Sequence, residues 1–241
     1  MKQIISFELA QQFPNHIIVP PIPSRKLIPT WFKKMKPFSV TKNAENQSME
    51  TVKKCVPFID AMSAGYTFVT HVDLQLTVEN GKVRTIFLDE RHRKEMDTFK
   101  PIETHPKPQI EGSPFEDFLI LKFISPWRIK VPEGYSCLFL PPMNQFELPY
   151  IPLCGIVDSD SYEGIVNFPF IVPQLQEGVQ VNIPAGSPFI QIIPYKREEW
   201  SEHIDNLSGT SADAYNNMRT EIRTDRQDYY RRKDYHKKKF N

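Results

Sequence analysis

The stretch Cys154 to Gly164, CGIVDSDSYEG, sets Asp158, Ser159, Asp160, Ser161 and Tyr162 directly after an apolar Gly-Ile-Val, in a chain with only nine glycines. Carboxylates in an exposed loop can act as general bases when they lie within reach of a substrate proton. A polar turn between two strands needs the same residue types, because short Asp and Ser side chains hydrogen-bond the backbone a residue or two further on. The turn is the expected role of this loop. If it is a catalytic site instead, Asp158 is the residue to carry the chemistry.

His71 and Asp73 offer a second constellation. Two histidines and a carboxylate can hold the iron of a non-haem oxygenase, with His105 or His203 as the distant third ligand. Residues two apart in a strand share a face whatever their role, so the pair alone does not make a site, and no metal or other cofactor is expected. Cys55, Cys137 and Cys154 are widely spaced and form no CxxC pair. They read as reduced, buried thiols of a cytoplasmic-type compartment.

The two ends carry cations mixed with aromatics. In Pro20–Pro37, PPIPSRKLIPTWFKKMKP, Trp31 and Phe32 stand among Lys33, Lys34 and Lys36. From Tyr229 to Asn241, Arg231, Arg232, Lys233, Lys237, Lys238 and Lys239 against Asp234 give 6 − 1 = +5, so the rest of a chain of net charge +1 is 1 − 5 = −4. Trp31 and Phe32 in an N-terminal strap, and these six cations in the tail, are the candidate partner-binding residues. A protein neighbour is the expected partner. Lysines on phosphates with rings on bases are the nucleic-acid alternative, and the plainer readings are a solvated tail and a strap packed on its own domain.

Prolines dictate the elements that must position these groups. The chain has 22 prolines, which remove helix hydrogen bonds and punctuate short extended runs, so the body is expected to be mostly β with little room for a long helix before residue 196. Tyr66, Phe68, Val72, Leu74, Leu76 and Val78 are read as one alternating strand, and Glu79-Asn80-Gly81-Lys82 as a hairpin turn before Val83, Ile86 and Leu88. The polar span that follows, with His92 and His105, reads as a surface excursion. Short apolar runs between turn signals resume over residues 118–200, as in a compact barrel or sandwich. Lys196 to Asn206 is a short helix candidate, a Ser-Gly-Thr-Ser break follows near 209, and a polar helix starts at about Ala212. Three regions result: a Pro-rich strap and arm over 1–49, an all-β core over 50–195, and a helix with a basic tail over 196–241. Neither a secretion signal nor a membrane span is read from the sequence, which places the protein in the cytoplasm or in a virion.

PEGYSCLFLPP, GIVDSDSYEG and VNIPAGSPFIQIIPY together resemble the later part of the dUTPase and dCTP deaminase superfamily, whose core is a β-clip. Gly155, Ile156, Val157, Asp158, Tyr162 and Gly164 match its Gly-Ile-Ile-Asp-x-x-Tyr-x-Gly loop with one extra residue between Asp158 and Tyr162. Gly186, Ile190 and Gln191 match its closing strand, and Ser63-Ala64-Gly65-Tyr66 is similar to its first motif. The resemblance spans roughly residues 62–76 and 131–195. It implies a β-clip-like body and, were the activity retained, roles for Asp158 in activating water and for Tyr162 in stacking on deoxyribose. This chain departs from the pattern elsewhere: Thr67 replaces the first-motif carboxylate, Pro141-Pro142-Met143-Asn144 replaces an Arg-Ser-Ser phosphate segment, and no glycine-rich arm follows. Ile28-Pro29-x-Trp31, with Lys54-Cys55-x-Pro57-Phe58-x-Asp60-Ala61-Met62, is also similar to a protein family of marine bacteriophages and bacteria to which no activity attaches.

The expectation is a non-catalytic, β-rich structural or interaction protein. It would be a homo-oligomer, with a trimer among the options, and a phage virion or assembly component that grips neighbours with its terminal segments. The alternative is a diverged dUTPase-like enzyme that binds or hydrolyses a nucleotide.

Overall fold

The computed structural model describes residues 3–224 and 229–238. It is mostly β, and its contacts divide the chain into two compact units. The first holds the residues up to Leu27 and Met62–Arg197; the second holds Ile28–Ala61 and Glu198–Asn241. The second unit is thus built from segments near both ends of the sequence.

Along the chain, β1 (Ser6–Leu9) and β2 (Ile22–Pro23) precede α1 (Thr30–Lys34), the small hairpin of β3 (Phe38–Lys42) and β4 (Ser48–Glu50), and α2 (Val56–Ser63). Next come β5 (Tyr66–Val69), β6 (Leu74–Glu79), β7 (Lys82–Phe87), α3 (Glu90–Phe99), β8 (Ile102–Thr104), β9 (Ile120–Phe123) and β10 (Trp127–Lys130). The remaining strands are β11 (Tyr135–Leu140), β12 (Ile151–Pro152), β13 (Gly155–Val157), β14 (Phe168–Ile171), β15 (Gln180–Ile183) and β16 (Pro188–Lys196). Two helices follow, α4 (Gly209–Thr224) and α5 (Tyr229–Lys233).

In the first unit the sheets run β13-β11-β16-β5-β2, β12-β14-β9-β8 and β15-β6-β7, with β1 paired to β10. All these strand pairs are antiparallel. Their inward faces supply a core rich in phenylalanine, in which Phe68, Phe123, Phe168, Phe170 and Phe189 are almost wholly buried. Ring pairs hold it together, among them Phe123 with Phe189 at 4.7 Å and Phe170 edge-on to Phe189 at 5.0 Å.

The hairpin lies where the alternation places it. Asn80 and Gly81 adopt φ of 53° and 71° between β6 and β7, which is the geometry a tight two-residue turn requires. The strand before it is not continuous. Thr70 breaks it: its hydroxyl donates to the Pro184 carbonyl at 2.6 Å and accepts from the Ser187 N–H at 3.0 Å. The chain therefore leaves one sheet at Val69 and enters another at Leu74, and His71 and Asp73 sit in the connection rather than on a strand face.

Three other expectations change. Residues 58–100 contain no proline, and that stretch admits most of α2 and all ten residues of α3, so the polar excursion opens with a helix. Only Cys137 is a buried thiol, because it points inward from β11; Cys55 and Cys154 lie in connections and are exposed. Lys196 ends β16, and residues 197–208 form no regular element, whereas the helix expected from about Ala212 is present as α4.

Candidate functional site

Gly155-Ile-Val becomes β13 because it pairs with β11, Cys137 facing Val157 and Phe139 facing Gly155. Where β13 ends, the backbone turns on itself. The N–H groups of Ser161 and Tyr162 both donate to the Asp158 carbonyl, at 3.1 and 2.9 Å. Ser159 is buried inside the turn, while the Asp158 and Tyr162 side chains face solvent. This fixes which carboxylates point inward and which outward.

Asp160 points inward, its side chain only 8 % exposed. It accepts from the backbone N–H of Gly134 at 2.9 Å and of Ser161 at 2.9 Å, and from both terminal nitrogens of Arg197, Nη1 to Oδ1 at 3.0 Å and Nη2 to Oδ2. The Arg197 guanidinium, more than any other neighbour, holds the Asp160 carboxyl well below the usual carboxylate range. Asp158 Oδ1 accepts from the Ser136 hydroxyl at 2.6 Å and lies 3.3 Å from Arg197 Nη1. Arg197 also donates to the Tyr135 carbonyl at 2.9 Å. One guanidinium thereby ties the start of β11, the loop and the end of β16.

Glu163 completes the pairing. Lys130 Nζ donates to its Oε1 at 2.6 Å and to the carbonyls of Asp160 and Tyr162 at 3.2 and 3.3 Å, and Arg128 Nη1 lies 3.1 Å from its Oε2. The Lys130 hydrogen bond is the first cause of the lowered Glu163 pKa. Arg197, Lys130 and Arg128 were not singled out from the sequence. Asp160 and Arg197 are 37 positions apart, and the pairing of β11 with both β13 and β16 makes them neighbours.

The other segments of the resemblance meet around Gln191, which is buried. Its amide donates to the Ala64 carbonyl at 2.7 Å and accepts from the Met143 N–H at 2.9 Å. Gly65, at φ +64°, passes so close to β16 that an added Cβ would lie 1.9 Å from the Ile192 carbonyl oxygen. Thr67 is buried, its hydroxyl 2.8 Å from that of Ser24. Register separates this cluster from the carboxylate loop. Gln191 faces Leu140 at one end of β11, whereas Lys196, next to Arg197, faces Tyr135 at the other, about 17 Å away at strand rise. Within one chain, Asp158 and Tyr162 are not brought to Thr67 and Pro141–Asn144.

His71 Nδ1 accepts from the Val19 N–H at 3.2 Å, and burial pushes its pKa down to about 4. Asp73 accepts from the Ala185 N–H at 2.8 Å. Among the described residues there is no group of three or more His, Cys, Asp or Glu side chains placed to share a metal ion.

In the second unit Phe32 is buried, stacked on Phe58 at 5.8 Å, and Trp31 meets the same ring edge-on at 6.2 Å. Lys53 lies over Phe32 and donates to its carbonyl at 2.6 Å. Arg231, Arg232, Lys233, Lys237 and Lys238 are exposed; Lys233 meets Glu221 at 3.1 Å and Lys238 meets Asp60 at 2.7 Å. Lys239 lies outside the described residues.

No protein-family model and no curated protein matches the chain. In structure the chain is similar to viral and phage dUTPases. With native EIAV dUTPase it shares 13 % identity at a TM-score of 0.31, over 61 % of this chain and 86 % of that one. With a dUTPase from phage phi11 of S. aureus, and with the Staphylococcus bacteriophage 80alpha dUTPase, the figures are 10 % and 0.36, over 86 % of this chain and 97 % of each of those. These identities are too low to carry residue roles across. Among the described residues no helix is long and apolar enough to cross a membrane.

Proposed function

We propose that this chain is a non-catalytic, β-rich interaction protein, a phage virion or assembly component that assembles through its β body and grips neighbours with its terminal segments. The observation that carries this reading is the charge balance of the loop. Three carboxylates, Asp158, Asp160 and Glu163, are matched by three cations, Arg197, Lys130 and Arg128. A triphosphate needs surplus positive charge, and this loop offers none: its own groups give 3 − 3 = 0, and Arg128 is shared with Glu8 at 3.2 Å. Thr67, buried against Ser24, supplies no carboxylate, and the prolines of Pro141–Asn144 supply no N–H.

The terminal segments support the interaction side. Phe32 holds the strap to Phe58 beside half-buried Trp31, and the exposed side chains of Arg231, Arg232, Lys233, Lys237 and Lys238 present positive charge to a neighbour. An acidic protein surface is the partner favoured, and nucleic acid is the other chemistry these cations suit. The setting is the cytoplasm or a virion. The second reading, a diverged nucleotide enzyme, draws on the exposed ring of Tyr162 beside Asp158.

Thermal-shift and hydrolysis assays with deoxynucleoside triphosphates and Mg²⁺ separate the two. No stabilisation and no phosphate release are expected, from the wild type or from Asp158→Ala. Stabilisation by one nucleotide that Asp158→Ala abolishes would overturn the non-catalytic reading.

A further inference from the structure

Residues 198–207, EEWSEHIDNL, follow the last strand of the first unit and are exposed along their whole length. Trp200 is 89 % exposed, Ile204 87 % and Leu207 58 %. Clustered large apolar side chains in water mark a contact surface. Their spacing, i, i+4 and i+7, would put all three on one face of a helix, and the sequence reads as a helix here. A helix this short is marginal in water unless its apolar face is packed, so in a lone chain the pattern stays unrealised.

A complementary surface exists in the second unit. A cleft of about 340 Å³ has Val56, Pro57, Ile222 and Tyr229 in its walls, with Arg231 and the ion pair of Lys54 and Glu50 among its lining. That volume is in the range that buries a large side chain or small ligand. The charges also complement. Residues 198–207 hold four acids and no Lys or Arg, hence −4 with histidine neutral, whereas 229–238 hold five cations and one acid, 5 − 1 = +4.

We propose that residues 198–207 of one copy dock as a helix in this cleft of a second copy, Trp200 and Ile204 entering it and Glu199 and Glu202 facing Arg231. A segment docking on its own chain would have to double back along α4. Only Ser208 separates Leu207 from Gly209, whereas a helical hairpin needs about two to five linking residues. Gly209 to Ile222 is also about 20 Å of helix, more than the segment's own helical length of about 15 Å. The inference rests on the interaction reading above and names its surface.

The test uses the full chain. Light scattering across a dilution series should show a wild-type mass that rises above one chain, and Trp200→Ser with Ile204→Ser should lower that mass, leaving only the assembly made through the β body. A fluorescein-labelled peptide of residues 197–208 should bind that double variant by anisotropy, and adding Arg231→Glu should weaken binding about tenfold, the equivalent of 1.4 kcal/mol. Absent peptide binding, or binding that Arg231→Glu leaves unchanged, overturns the docking. A wild-type mass above one chain alongside that result leaves the interaction reading standing, with assembly through the β body. Nucleotide binding abolished by Asp158→Ala would sink that earlier reading without touching the peptide result.

Discussion

The loop from Asp158 to Glu163 and the segment from Glu198 to Leu207 are both acidic stretches on the surface, and they behave oppositely. In the loop each carboxylate has a cation fixed by a strand: Arg197 at the end of β16, and Lys130 and Arg128 on β10. The later segment has no regular structure and holds its largest apolar side chains in water. Acidic composition therefore does not distinguish a site from a scaffold. What distinguishes them is that strand register brings fixed cations to the loop, whereas the later segment belongs to no strand and leaves Trp200 and Ile204 unpacked.

The contrast is broken most forcefully in the core. Phe168 is 1 % exposed and packs near Phe68 and Phe139, at 5.4 and 5.5 Å between ring centres. Phe168→Ala should cost about 3–5 kcal/mol through lost burial and the cavity left behind. Trp200→Ala should stay within about 0.5 kcal/mol, as surface changes do. Urea unfolding of both variants at low concentration checks this, and a loss for Trp200→Ala comparable to that of Phe168→Ala would show the segment to be part of the monomer's packing.

The next effect is a pH dependence that belongs to the body alone. His71 is neutral when folded because burial holds its pKa at about 4, whereas unfolded it titrates at the ordinary histidine value of about 6.5. Between those values the unfolded chain binds a proton that the folded chain does not. Stability is full above about pH 6.5, falls as pH drops toward 4, and loses about 3 kcal/mol across that window. His71→Asn keeps an acceptor for the Val19 N–H and should flatten the dependence in urea titrations from pH 7 to 4.5. A slope unchanged by the substitution would place its origin in another group.

Arg197→Met sharpens the comparison within the loop. It leaves Asp160 shielded from water without its guanidinium, while Asp158→Asn keeps that pair and alters only an exposed carboxylate. The melting temperature should fall more for Arg197→Met than for Asp158→Asn. Because the Asp160 pKa is lowered in the folded state, its share of the stability is present above the ordinary aspartate range and is lost as pH falls below it. The difference between wild type and Arg197→Met should therefore narrow in acid. Equal melting temperatures for the two variants at neutral pH would mean that the pair does not hold the loop.

Much of the β architecture was legible in the sequence because it rests on local signals. Asn80-Gly81 dictates a hairpin, and Leu74, Leu76 and Val78 alternate with the pleat. The break at Thr70 was not legible, since its partners at 184 and 187 are more than a hundred positions away. The loop's polar residues were visible, and their expected role as a turn agrees with the hydrogen bonds to the Asp158 carbonyl. Its cations were not, because Arg197 reads as an ordinary charge at the end of an apolar strand until β11 and β16 are paired. The helix expected over Lys196–Asn206 failed for a different reason: the periodicity is present, but a helix of that length needs a surface to pack against.

The smallest effect is expected where the basic segment touches its own unit. Lys238 donates to Asp60 at 2.7 Å and lies over the Tyr235 ring at 5.0 Å, yet its side chain is 45 % exposed. The hydrogen bond to Asp60, more than any other neighbour, raises the Lys238 pKa, which marks a pair without making it a fastening. Exposed ion pairs gain little and are screened by salt. Lys238→Ala should therefore shift the melting temperature far less than Arg197→Met, and raising the salt concentration should erase what shift there is. A salt-resistant loss as large as that of Arg197→Met would make the basic segment a structural fastening like the carboxylate loop, and would leave its other cations, rather than Lys238, to meet a neighbour.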